Sequence, residues 1–328
     1  MEKTMIANAI NEFGDVTKFN LKEMSIPKIN EDEILIKLDY AGIGQWDTFE
    51  REGGYDQMLG LNSKFPYILG SEGSGTIVSI GKNVNDFEID DKVYAVGFLN
   101  PKGGFYAEYV AVNHNLVNKI PKTITLLQAS VVAGVGLTGL RGLTDVLNLK
   151  KGESIAIFGA SGGIGHIAVQ ISKSIGAKIY AIASEPDGVL LVKSYGIDCV
   201  IDGKTGDVIA KAHSFGFNKF DKVLLTFSDK DINAFIEEFC LGGIVAYPNG
   251  VFPEPEKRSD VDIVGYNGEP DKEIISRLHR YIENGEITPH IDKVFDLDKV
   301  QEAHKHLVEH YVGKLAIQIS KLKNEIHH

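Results

Sequence analysis

The run Ile155-Ala-Ile-Phe-Gly-Ala-Ser-Gly-Gly-Ile-Gly165 limits what this chain can fold into more than any other stretch of it. An apolar segment of strand length ends in clustered glycines, and the glycines lead into residues 166–175, a helical stretch closed by Gly176. Read as Ala-x-Gly-x-x-Gly, the turn puts Ala160, Gly162 and Gly165 at the spacing of a strand that folds sharply into a helix. A small residue at 160 permits the tight turn. A glycine at 162 lets a ligand approach the backbone, and a glycine at 165 lets the helix pack close to the strand. The first N–H groups of such a helix have no partner within it and favour anions, so Ser161, Gly163 and Ile164 join the glycines as expected phosphate contacts. With a strand before, a helix after and a second strand on schedule, the turn predicts a bound dinucleotide.

About 20 residues beyond such glycines, the end of the second strand faces the adenine ribose. Here the sequence is Ile182-Ala183-Ser184-Glu185. If Ala183 holds that position, no carboxylate opposes a 2′-phosphate, Ser184 can donate to it, and Lys193 and Lys204 lie within reach; the cofactor is then NADPH. If Glu185 reaches the ribose hydroxyls, it is NADH. NADPH is the reading preferred here.

The second half of the chain repeats the theme. Strands are expected at 154–158, 179–183, 199–202, 222–225 and 243–247, with helical segments between them, which specifies a parallel sheet covered by helices on both faces. Helices are also expected at 126–132 and 137–147. The first third differs: apolar, β-branched runs at 33–40, 75–80, 92–96 and 106–112, separated by Gly, Asn and Pro, predict short strands with no helices between them and an irregular barrel. Amphipathic helices near 272–284 and 298–309 and a strand at 314–319 close the chain. A length of 328 residues exceeds the roughly 250–300 at which a single core stops growing, so two domains are expected. They are a β domain over 1–123 and 264–328 and a dinucleotide-binding domain of doubly wound parallel sheet over 124–263.

Beyond the glycine turn, Ala41-Gly-Ile-Gly-Gln-Trp-Asp47, Leu69-Gly-Ser-Glu-Gly-Ser-Gly75 and Val135-Gly-Leu-Thr-Gly139 occur in that order. Along nearly its whole length the chain resembles the medium-chain dehydrogenase/reductase superfamily. The resemblance implies an α/β protein with an N-terminal GroES-like β-barrel domain and a Rossmann domain. Zinc members carry a cysteine where Gly44 stands, a histidine where Ser71 stands and a second cysteine near Gly134, so the likeness is to the zinc-free, quinone-oxidoreductase-like (zeta-crystallin-like) branch, with no metal expected. Glycine and serine cannot supply the three protein ligands that catalytic zinc requires. The branch implies transfer of hydride from NADPH to a quinone or an α,β-unsaturated carbonyl, in a cleft between the two domains.

The same resemblance assigns site residues. Gly44, Gln45, Trp46 and Tyr67 form the expected substrate wall. Several quinone reductases carry asparagine where Gly44 is and tyrosine where Phe49 is, so the polar wall is reduced. Tyr55 either donates to the oxygen of the acceptor or is a loop residue covering a core. Glu72 is expected beneath the cleft as support, and Asp47 with Arg51 as an i, i+4 ion pair. Thr138, at the start of a helix, and the Asn249-Gly250 turn after the fifth strand are expected at the nicotinamide. Lys314 either approaches the cofactor phosphates or is an exposed lysine.

His306 and His310 share a helical spacing, but no Cys or carboxylate set accompanies them and they are read as solvated; Cys199 and Cys240 are read as small buried apolar residues. A net charge of −11 counts against nucleic-acid or membrane partners. Residues 1–11 show no signal peptide and no stretch is long enough to span a membrane, so a cytoplasmic protein is expected. The tail His327-His328 is set aside as a tag remnant. The partners expected are a small-molecule substrate and a second copy of the chain in a homodimer. The alternatives are a reductase of enoyl thioesters or of plain carbonyls and, from another class, a non-catalytic dinucleotide-binding protein.

Overall fold

The computed structural model describes residues 3–229 and 231–320, which gather into two compact units; His327-His328 lie outside the described residues. The first unit takes Met1–Gly134, Pro270–His279 and Ile291–His328, and the second takes Val135–Glu269 and Arg280–His290.

The first unit opens with β1 (Thr4–Ile10), β2 (Asn20–Ser25) and β3 (Glu33–Ile43). Two short helices follow, α1 (Gln45–Arg51) and α2 (Gly54–Leu59), and then come β4 (Tyr67–Ile68), β5 (Glu72–Ile80), β6 (Lys92–Val96), β7 (Tyr109–Asn113), β8 (Val117–Lys119) and α3 (Leu126–Ala129). The helices α1 and α2 correct the expectation of strands alone. Gly44 takes an extended conformation at the start of α1, and its N–H donates to the Asp47 carboxylate at 2.8 Å, an N-terminal cap supplied from within the helix. A helix of seven residues between glycines is too short to leave a periodic pattern in the sequence.

The helix α4 (Ala133–Arg141), which belongs to the second unit from Val135 on, runs into a π-helical turn at Gly142–Val146. The alternation is β9 (Ser154–Phe158), α5 (Gly163–Ile175), β10 (Lys178–Ala183), α6 (Glu185–Ser194), β11 (Val200–Asp202), α7 (Val208–Ser214), β12 (Lys222–Leu225), α8 (Ile232–Phe239), β13 (Ile244–Pro248) and β14 (Asp262–Tyr266). The strands are parallel in the order β11-β10-β9-β12-β13-β14, a doubly wound sheet whose order reverses beside β9. Ligands of such sheets bind beyond the carboxyl ends of the strands at that reversal. The sixth strand, β14, is absent from the expectation. Because it pairs with β13 over Asp262–Tyr266, the chain stays with the second unit as far as Glu269. Tyr180, Phe220, Phe235 and Phe239 stack in the core of this unit.

The chain then forms α9 (Lys272–Glu283), β15 (Ile291–Asp296), α10 (Val300–His306) and β16 (Lys314–Gln318). β16 pairs antiparallel with β3, Leu315 opposite Ile43, and this register carries Lys314 to the end of β3 that leads into α1. The larger sheet of the first unit has the order β15-β16-β3-β5-β6-β8, with β7 also on β3. No helix among the described residues is long and apolar enough to cross a membrane.

Candidate active site

In the second unit the glycine turn is built by exclusion. Gly159 has φ of 71°, and a Cβ there would meet Thr226 Oγ1 at 2.6 Å. At Gly165 a Cβ would lie 2.0 Å from the Gly159 carbonyl, which no side chain tolerates, so this glycine lets α5 lie against the end of β9. Gly162 caps α5, and a Cβ there would meet only the Gly159 oxygen, at 3.4 Å. Its N–H donates to that oxygen, and the Ala160 N–H donates to Ile182 O on the neighbouring strand. The turn is therefore fixed from both sides, with Gly163 and Ile164 opening the helix.

His166 was not singled out from the sequence, yet it sits under this turn, fully buried. Its Nε2 accepts from the His290 N–H, so Nδ1 carries the proton and donates to Gly162 O at 2.9 Å. The only sign of it in the sequence is its place directly after the last glycine of the motif.

At the ribose end, β10 stops at the buried Ala183, and Ser184 caps α6. The Ser184 N–H donates to Ser161 Oγ at 3.3 Å, so the two serines meet across the turn. Glu185 adopts φ of 64°, a left-handed conformation rare outside glycine, and its N–H donates to Asp202 Oδ1. Its carboxylate holds Lys204 Nζ at 2.5 Å. Lys204 thus joins Ser161, Ser184 and Glu185, whereas Lys193 does not. Lys193 lies in the last turn of α6, about 13 Å along the helix axis from Ser184 at 1.5 Å per residue.

Thr138 and Asn249 meet through Tyr266. The Tyr266 hydroxyl donates to Thr138 O, and its carbonyl accepts from the Asn249 N–H. Thr138 lies inside α4 and not at its start, because the helix begins at Ala133. Its hydroxyl abuts Gly268, where a Cβ would come within 2.1 Å. Asn249 Nδ2 donates to Asn267, and Gly250 follows in open space with φ of 101°.

In the first unit, α1 organises two clusters. In one, the indole of Trp46 folds back over Gly44, so that a Cβ at 44 would lie 2.5 Å from the ring. Lys314 Nζ stands 4.4 Å from the centre of that ring and 2.9 Å from Glu72 Oε1, a charge contact outside hydrogen-bond alignment. Glu72 Oε2 accepts from the Gly134 N–H, and Ser71 is buried beside it in sequence. The alternative of an exposed Lys314 is corrected, since its side chain is 3% exposed. Gln45 is exposed and donates to Leu307 O.

The second cluster lies along the buried face of α1. Asp47 accepts from Tyr106 as well as from Gly44, and burial pushes its carboxyl up to about 7 against those bonds. One turn on, Glu50 accepts from the Tyr67 hydroxyl at 2.5 Å, and burial with the nearby Asp47 charge pushes it up to about 8. The expected Asp47–Arg51 pair is replaced: Arg51 reaches Gly14 O, Glu52 and His304 Nδ1. Burial, then the Arg51 charge, holds His304 down to about 3. Tyr55 lies between the edges of Phe49 and Phe98, ring centres 4.7 and 4.8 Å away, and burial raises its hydroxyl to about 12.

Residues 30–122 match the family model of the alcohol dehydrogenase GroES-like domain and residues 195–317 that of the zinc-binding dehydrogenases, together more than half of the chain. The acryloyl-coenzyme A reductase of Sulfurisphaera tokodaii is 27% identical over 93% of this chain and 98% of its own. The quinone oxidoreductase of Rattus norvegicus is 28% identical over 97% and 98%. The solved structure of the quinone oxidoreductase from Coxiella burnetii superposes with a TM-score of 0.83 at 24% identity, over 97% of this chain and all of that one, and so shares the fold. The chain is an oxidoreductase of the medium-chain dehydrogenase/reductase superfamily, in its quinone-oxidoreductase-like branch.

Proposed function

We propose that the protein is a zinc-independent, NADPH-dependent reductase of conjugated acceptors, a quinone or an α,β-unsaturated carbonyl. The observation that carries this is the cluster of Gly44, Ser71, Trp46, Glu72 and Lys314. The positions where zinc relatives hold thiolate and imidazole offer none, an indole fills the space beside Gly44, and the ammonium of Lys314 lies against the buried carboxylate of Glu72. This donor set does not fit catalytic zinc. Without a Lewis acid, the acceptor must itself spread the charge it receives, which conjugated carbonyls and quinones do and simple ketones do not.

The second unit fits a nicotinamide dinucleotide. The 159–165 turn and the start of α5 would hold the pyrophosphate, Thr138 and the Asn249-Gly250 turn the nicotinamide end, and Ser161, Ser184 and Lys204 a 2′-phosphate. When bound, the reduced cofactor supplies the hydride. Ala183 offers no carboxylate to the ribose, and the charge of Glu185 is already met by Lys204, both of which favour NADPH. On the substrate side Tyr55, protonated at neutral pH and held between the edges of Phe49 and Phe98, donates a hydrogen bond to the acceptor oxygen.

The working form is taken to be a homodimer, supported by the uncovered outer strand β14, on which Asp262, Val264 and Gly265 are exposed. A second reading, reduction of enoyl thioesters, draws on the likeness to an acryloyl-coenzyme A reductase. One experiment separates these. NADPH oxidation is followed with quinones, enals, enones, enoyl thioesters and a saturated ketone, using protein purified without metal affinity and analysed for zinc. Turnover with quinones or enones at substoichiometric zinc is expected. Turnover confined to thioesters favours the second reading. Stoichiometric zinc whose chelation stops turnover overturns the proposal, and NADPH binding with no turnover on any acceptor favours a non-catalytic protein.

A further inference from the structure

Two buried carboxyls on α1, Asp47 and Glu50, are not absorbed by the function above. Glu50 is 4% exposed, its Oε1 accepts from the Tyr67 hydroxyl at 2.5 Å, and its Oε2 is buried with no hydrogen-bond partner among the described residues. Tyr67 itself is only partly buried. The carboxyl is thus sealed from water behind one phenol, and a proton entering or leaving it passes through that phenol.

The surrounding charges disfavour a carboxylate here. On α1 the neighbours are Asp47 and Arg51, but Arg51 is committed to Gly14 O, Glu52 and His304. From α2 come Tyr55 and Asp56, from β4 Tyr67, and from the loop before β7 Tyr106. Burial raises Glu50 most, and the charged groups among these that act on it are acidic and raise it further, so at neutral pH Glu50 is a neutral acid. Tyr67 is raised above its ordinary value by burial and then by Glu50, so it too keeps its proton.

Resting on the function proposed above and on Tyr67 as part of the acceptor wall, we infer that Glu50 is the proton store behind Tyr67, which hands its phenolic proton to the reduced acceptor and is refilled from Glu50. The acceptor gains a hydride, two electrons with one hydrogen, from the reduced nicotinamide, which is thereby oxidised. The enolate or hydroquinone anion so formed takes the proton of the Tyr67 O–H. As the Tyr67 O–H gives up its proton, the Tyr67 oxygen takes the proton that the Glu50 carboxyl carries on Oε1 across the 2.5 Å contact, and between turnovers a proton from water returns to Glu50 through the same phenol. Tyr55 and Tyr67 then differ in role by their surroundings. Tyr55, between two phenylalanine edges, polarises; Tyr67, with an acid behind it, transfers.

Two measurements test this. Beside the Asp47 carboxyl, which fades near pH 7, infrared titration of the whole protein is expected to show a second protonated-carboxyl component that fades near pH 8 and is missing in Glu50→Gln. In Tyr67→Phe its midpoint rises, because the bond that favours the charged form is gone. Absence of this second component, or an unmoved midpoint in Tyr67→Phe, overturns the store. With the best acceptor, Glu50→Gln keeps a hydrogen-bond acceptor but no proton, and turnover is expected to fall about tenfold or more with KM little changed. The alkaline fall in rate near pH 8 disappears with it. Tyr67→Phe loses as much, and the double variant loses no more than either. Full turnover with an unchanged pH profile in Glu50→Gln, or losses that multiply in the double variant, overturns the relay while the function stands. If no conjugated acceptor is reduced, the function falls and takes the relay with it, and the infrared result still reports the state of Glu50.

Discussion

Lys314 and Glu72 form an ion pair 2.9 Å apart with side chains 3% and 1% exposed, one from the last strand of the chain and the other from the first residue of β5. Burying two charges is costly, and the pair is tolerated because each has further company. The Gly134 N–H reaches the carboxylate and the Trp46 face covers the ammonium. The zinc-free proposal and the stability of the first unit therefore meet at one place.

Removing one partner should expose that cost. Lys314→Met is expected to destabilise the protein by about 3–5 kcal/mol, because Glu72 is left buried with its charge unmatched. Combining it with Glu72→Gln should recover most of the loss. Urea denaturation of the two variants and the parent is the measurement. A single variant as stable as the parent would mean that the pair carries no net weight.

Stability should also depend on pH in two opposite ways. Glu50 and Asp47 have folded values near 8 and 7, raised from ordinary values of 4.5 and 3.8. Their contribution is full below about pH 4 and is lost as pH rises through 7 to 8. His304 is depressed from 6.5 to about 3, so its contribution is present above about 6.5 and is lost as pH falls toward 3. Melting temperature should peak in mildly acidic solution. Glu50→Gln should flatten the fall between about pH 4.5 and 8, making the variant more stable than the parent at pH 9. Equal slopes over that range in thermal melts would show that Glu50 ionises at its ordinary value.

How far the sequence revealed this molecule depended on how local each signal was. The strand, glycine turn and helix of 155–175 were legible because every constraint lies within a few residues, as the clash of a Cβ at Gly165 with Gly159 O makes plain. The edge strand β14 was missed because Asp262, Val264 and Gly265 face solvent and give neither an apolar run nor an alternation. Lys193 and Lys204 are both expected within reach of the ribose end, but Lys193 lies at the far end of α6 from Ser184, whereas Lys204 comes back to Glu185 across the adjacent strands β10 and β11. Glu50 was illegible for a deeper reason. A glutamate in a short helix reads as a solvated side chain, and only the tertiary contact with Tyr67 shows it to be enclosed.

Cofactor preference should turn on Lys204. Lys204→Ala is expected to weaken NADPH binding about tenfold or more, the loss of one charge-assisted contact, and to leave NADH nearly unaffected. Lys193→Ala should change neither. Fluorescence titration of both reduced cofactors decides it. A preference for NADH in the parent that reverses in Glu185→Ala would instead make Glu185 the residue that reads the ribose.

Tyr55 offers the plainest test of the substrate side. Its ring is fixed by the edges of Phe49 and Phe98, so replacing the hydroxyl by hydrogen should leave the packing and the fold in place. If the hydroxyl bonds the acceptor oxygen only as charge develops there, Tyr55→Phe lowers kcat and kcat/KM together, by about tenfold or more, with NADPH affinity unchanged. Its pH profile should keep the alkaline fall assigned to Glu50, because a hydrogen bond that polarises without transferring a proton does not titrate until pH nears 12. Steady-state kinetics across pH on the best conjugated acceptor provide the comparison. Full activity in Tyr55→Phe would reduce this tyrosine to a covering residue, and loss of the alkaline fall would make it part of the same proton path as Tyr67.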